Sequence, residues 1–97
     1  MTSLDPPTVC LCGSLRHWPA ILAEAARQSR AGWLVDMPIP DVGHDIAGPL
    51  HLARIRRCDR VVVVGEPGEH TRAEVAYAES LGRPVSYTAV LDEAAAR

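Results

Sequence analysis

The 97-residue chain contains no phenylalanine, and its only aromatic residues are two Trp and two Tyr. A core without large aromatics has to be built from Val, Leu, Ile and Ala, which makes it thin for a domain of this length. All ten basic residues are arginine, and the absence of lysine excludes Schiff-base catalysis. No apolar run is long enough to span a bilayer, and the opening "MTSLDPPT" lacks the basic-then-apolar pattern of a signal peptide. The cytoplasm is therefore the expected location, with no membrane partner. A formal charge of −2 and a pI near 6.0 provide no drive toward nucleic acid, so small molecules and other protein chains are the expected partners.

CxxC spacing is also missing. The three cysteines are odd in number, and Cys10 and Cys12 fall on one face of a single strand, where they read as small core residues. The four histidines show no HxxxH or HExxH spacing. No metal site and no cofactor are predicted.

What is present alternates between strand and helix. Residues 1–7 carry two prolines and read as a flexible leader, and 8–97 as a single domain, because two cores of half this size would bury too little apolar surface. "TVCLCG" (8–13) reads as a buried strand, followed by a helix from Pro19 to its stop at Gly32. "WLVDM" (33–37) is a second strand, and the Pro- and Gly-rich "PIPDVGHDIAGP" (38–49) a long loop. "LHLARIRRC" (50–58) is expected to be a short helix with Leu50, Leu52 and Ile55 inward. The strand "RVVVV" (60–64), the helix "TRAEVAYAESLG" (71–82) and the strand "RPVSYTAV" (83–90) follow, with "LDEAAAR" as a fragment of a terminal helix. This order predicts an α/β fold, a Rossmann- or flavodoxin-like three-layer sandwich with a four- to five-stranded parallel sheet.

Such sheets bind ligands at the carboxyl ends of their strands. That edge should hold residues 13–16, 36–45, 65–74 and 86–88, while Asp59 falls at the opposite edge and reads as a turn residue. In "CGSLR", Gly13 offers close backbone approach, with the Ser14 hydroxyl and the Arg16 guanidinium as anion ligands. Gly68, His70 and Thr71 lie in the loop before the last helix. Two readings of Glu74 stand side by side. Thr71 to Glu74 fits the capping box S/T-x-x-E, and the same carboxylate sits where chemistry would need it.

Taken together, "CGSLR", "GWLVDMP", "LHLARIRRCDRVVVV" and "GEHTRAEVAYAESLGRPV" resemble the nucleoside 2-deoxyribosyltransferase-like family, in particular its short bacterial and phage members, over residues 9–87. The most specific element is E-x-x-Y-A-x-x-x-G-[KR]-P-V, here Glu74, Tyr77, Ala78, Gly82, Arg83, Pro84 and Val85. The resemblance implies cleavage, by hydrolysis or transfer, of the N-glycosidic bond of a (deoxy)nucleoside or its 5′-monophosphate. In this reading Glu74 attacks the anomeric carbon to form a glycosyl intermediate. It also implies a homodimer or larger assembly, since family members complete their sites across subunits. Many short relatives carry Ser where this chain has His70, and the added aspartates and closing C-terminal segment of the larger transferases have no clear counterpart here. Candidate general acids are His51 and, in the long loop, Asp41, His44 or Asp45. Tyr77, one turn after Glu74, either orients that carboxylate or packs its helix onto the sheet. A non-catalytic nucleotide-sensing module is the alternative from a different class.

Overall fold

The computed structural model describes residues 5–40 and 42–90, with His44 described by its backbone alone. Strand β1 (Thr8–Cys12) leads through a 3₁₀ turn (Leu15–His17) into helix α1 (Trp18–Arg30). Strand β2 (Leu34–Asp36), helix α2 (His44–Arg57), strand β3 (Arg60–Val64), helix α3 (Glu69–Ser80) and strand β4 (Val85–Thr88) follow. The four strands form one parallel sheet in the order β2-β1-β3-β4. The α/β three-layer expectation is met, and the order is the start of the doubly wound flavodoxin-like arrangement.

The strand sequences explain why both faces are covered. β1 and β3 are apolar at nearly every position, as parallel strands buried on two sides must be. Val9, Leu11, Val62 and Val64 face α1, where Ile21 is fully buried and Trp18, Trp33 and Val35 close the layer. Cys10, Cys12, Val61 and Val63 face α2 and α3, meeting Ile55, Cys58, Val75 and Ala78. Burying Ile21 and Ile55 completely contributes roughly 1.5–3 kcal/mol each. At the amino edge Asp59 Oδ2 accepts from the Thr8 amide at 2.7 Å, and Thr8 returns its carbonyl to the Asp59 amide. Asp59 is thus the expected turn residue. The Pro7 carbonyl already accepts from the Leu34 amide, so pairing at the β2 edge begins within the proline-rich leader.

Two helices start earlier than the sequence predicts. α2 takes up His44 to Pro49, half of the expected long loop, because Gly43 adopts an extended cap whose carbonyl receives the Ile46 and Ala47 amides. Pro49, the sixth residue of that helix, cannot donate to Asp45, whose carbonyl lies at an exposed position. The face that α2 buries carries His51, Ile55 and Cys58, at spacings of four and three, whereas Leu50 is 49 % exposed and Leu52 37 %. Their expected inward packing is therefore corrected. α3 starts at Glu69 with Gly68 as its cap and no side-chain cap bond. Thr71 is then the third residue inside the helix, and the capping box it would form with Glu74 does not exist. The predicted terminal helix at 91–97 and the candidate Asp41 lie outside the described residues.

Candidate active site

The sheet order reverses between β1 and β3, which opens a crevice at their carboxyl ends. A cavity of about 290 Å³ occupies it. Its floor is Gly13 and Ser14 after β1, one wall is Pro38, Ile39 and Val42 after β2, and the other is Gly68 to Thr71 and Glu74 on α3. His51 of α2 also lines it, with Ala47 and Gly48 of the same helix. Seven predicted site residues, Gly13, Ser14, His51, Gly68, His70, Thr71 and Glu74, therefore meet in one place.

The α3 residues Thr71, Val75 and Ala78 form a buried stripe, and Glu74 lies on its pocket-side margin, with a side chain 17 % exposed. His51 Nε2 stands 3.8 Å from Glu74 Oε1. The same nitrogen is 3.3 Å from Cys12 Sγ and 4.0 Å from Cys10 Sγ. His51 is buried to 4 % exposure, and its Nδ1 has no hydrogen-bond partner among the described residues. Burial pulls the imidazole pKa down, but the Cys10 hydrogen bond and the charges of Cys10 and Glu74 outweigh it, leaving the ring easier to protonate than usual.

The two thiols titrate as a pair. The Cys12 hydrogen bond, with help from His51, outweighs burial and lowers Cys10 to about 6, while that same bond and burial raise Cys12. Although Cys12 lies closer to the imidazole, the charge belongs to the pair: one proton leaves easily and the second with difficulty. Cys58, bonded to the Ile55 carbonyl, is pushed up to about 11 by burial and then by the Cys10 charge.

The cysteines are buried in the core as expected, but they are not inert filler there. Cys10, Cys12 and His51 bring their donor atoms within 4.8 Å of one another. The sequence could show that Cys10 and Cys12 share a strand face. No local spacing linked them to a helix residue about forty positions away.

Other candidates have different surroundings. Gly13 has no room for a side chain because a Cβ there would meet the Val64 carbonyl oxygen at 2.8 Å, so its smallness serves strand packing. Ser14 Oγ accepts from the Arg16 amide and caps the 3₁₀ turn, which leaves its hydroxyl proton to donate. Arg16 does not line this pocket. It borders a more open hollow of about 560 Å³ along α1, with Arg27, Arg30 and Thr88. Tyr77 packs against the core under α3 and is absent from the pocket lining. His44 is the first residue of α2, and its side chain lies outside the described part of the structure. Asp45 is in the first turn of α2, exposed and outside the pocket lining. Glu69, in the edge segment 65–74 but not among the predicted ligands, borders the pocket as the first residue of α3.

Among the described residues no helix is long and apolar enough to cross a membrane. No protein-family model and no curated protein matches the chain.

Proposed function

We propose that the protein cleaves the N-glycosidic bond of a nucleoside or nucleoside 5′-monophosphate, with Glu74 as nucleophile and His51 as proton donor. The observation that carries this reading is the carboxylate–imidazole pair, 3.8 Å apart on the wall of a small pocket at the sheet's switch point. Since the helix starts at Glu69, Glu74 lies beyond its first turn and is not its cap. The resemblance to the nucleoside 2-deoxyribosyltransferase-like family assigns the same glutamate to the same role.

In the first step a Glu74 oxygen bonds to the anomeric carbon as the carbon–nitrogen bond breaks. The bonding pair leaves on the base, which takes the proton from His51 Nε2. In the second, His51 accepts a proton from water or from the N–H of a second base, whose oxygen or nitrogen displaces Glu74. The first turn of α3 borders the pocket beside the Ser14 hydroxyl, where a helix start favors a sugar hydroxyl or 5′-phosphate. A volume of about 290 Å³ suits a small ligand. A cytoplasmic homodimer or larger homo-oligomer, needing no cofactor for this step, fits the reading.

A panel of nucleosides and 5′-monophosphates, followed by chromatography for free base, tests it. Base release from at least one member is the expected result. Ligands that raise the melting temperature without any base release at enzyme excess would instead make the pocket a nucleotide sensor.

A further inference from the structure

We propose that Cys10, Cys12 and His51 bind a thiophilic divalent cation of the Zn²⁺ class between β1 and α2. This goes beyond the glycosidase reading and does not depend on it. Three soft or borderline donors, all buried, converge with their ligating atoms within 4.8 Å. Zn–S bonds of about 2.3 Å and Zn–N bonds of about 2.0–2.1 Å at tetrahedral angles place sulfur and nitrogen about 3.6 Å apart. The observed 3.3 and 4.0 Å bracket that separation, so each sulfur–nitrogen pair reaches it with an adjustment of a few tenths of an ångström.

The charge balance also fits. Two thiolates and a neutral imidazole carry −2, which a divalent ion cancels inside a core that tolerates no net charge. Binding expels the protons held by the trio and leaves a neutral center. Three protein ligands leave a fourth corner for a water, toward the pocket wall that carries Glu74 Oε1, 3.8 Å from the ligating nitrogen. Because His51 lines the pocket, the cavity gives the ion an entry path. Metal binding and proton donation use the same Nε2, so the loaded and proton-carrying forms exclude each other.

Titrating the chelator-stripped, fully reduced chain with Co²⁺, with no nucleotide present, tests the site. The expected result is a thiolate-to-metal charge-transfer band with intense tetrahedral visible bands, saturating at one ion per chain and displaced by Zn²⁺. The chain has three cysteines, so unchanged bands in Cys58→Ser assign the sulfurs to Cys10 and Cys12. His51→Gln should keep the charge-transfer band, shift the visible bands and weaken Zn²⁺ binding by more than the roughly 10–100-fold that loss of a supporting residue costs. A titration that shows nothing beyond the weak spectrum of aqueous Co²⁺ at saturating ion overturns the proposal, whatever the variants do. Loss of the bands in folded Cys58→Ser, or unchanged bands and affinity in His51→Gln, overturns it equally.

Discussion

Replacing Gly13 with alanine should destabilize the fold by about 1–3 kcal/mol, the usual cost of forcing extra atoms into a packed site. The added Cβ would sit 2.8 Å from the Val64 carbonyl oxygen and 3.5 Å from Ile21 Cδ1, whereas ordinary contact begins at 3.4 Å. Roughly 0.6 Å must therefore be gained against a backbone atom. That atom cannot swing away, because β1 and β3 are held in register up to Cys12 and Val63. For a domain of this size each kcal/mol moves the midpoint by about 4–8 °C, so the melting temperature should fall by about 4–24 °C. Gly48→Ala is the control. It lies inside α2 with nothing within 4 Å of the new Cβ, and alanine there should stabilize by about 0.5–1 kcal/mol. Thermal and urea unfolding of both variants reads the difference. A Gly13→Ala protein that melts with the wild type yet no longer binds nucleotide would refute the packing argument and make Gly13 a ligand-approach residue.

Glu24→Ala should lower the unfolding free energy by about 1–3 kcal/mol in urea titrations. Glu24 is 5 % exposed, accepts from Arg27 and Gln28, and belongs to a chain that continues from Gln28 to Arg60 over the Trp33 ring. In the metal-free chain, thiolate absorbance should show one thiol ionizing near pH 6, with the other two protonated beyond neutral pH. Because Cys10 is lowered from 9.0 to about 6, its contribution to stability is complete above pH 9 and is lost as pH falls through about 6. His51 has the opposite sign: raised from 6.5, it stabilizes fully below that pH and loses its contribution as pH rises through its higher folded value. Light scattering should show a homodimer or larger species, since Ile46, Leu50 and Leu52 of α2, and Ile39 and Val42 before it, are exposed apolar residues. A monomer at micromolar concentration with full activity would contradict that.

The topology was legible because its signals are local. Val61 to Val64 can only be a buried strand, Gly82 at φ 72° stops a helix as its type suggests, and Pro19 sits in the first turn of α1. The helix starts were less legible. Gly48 and Pro49 read as breakers, yet Gly43 caps α2 upstream of both, and tertiary packing of Ile55 and Cys58 outweighs the weak propensity. The pocket-side placement of Glu74 followed from sheet logic alone. The His51 contacts did not, because Leu50 and Leu52 offered a more hydrophobic inward face than the one α2 uses, and only the structure puts an imidazole over two thiols. Arg16 shows the limit of the same logic, since the carboxyl edge borders two hollows and position along a strand does not choose between them.

The central claim is that Glu74 is a nucleophile, and Glu74→Gln tests it most directly. Glutamine keeps the size and most of the packing at this half-buried position but is a very poor nucleophile toward an anomeric carbon. Single-turnover base release, on a substrate that the wild type cleaves, should fall by about a thousandfold or more, with nucleotide binding retained and the melting temperature within a few degrees. Glu79→Gln, an exposed position about 140° around α3 from Glu74, should change neither. Wild-type base release by a folded Glu74→Gln protein would contradict the account.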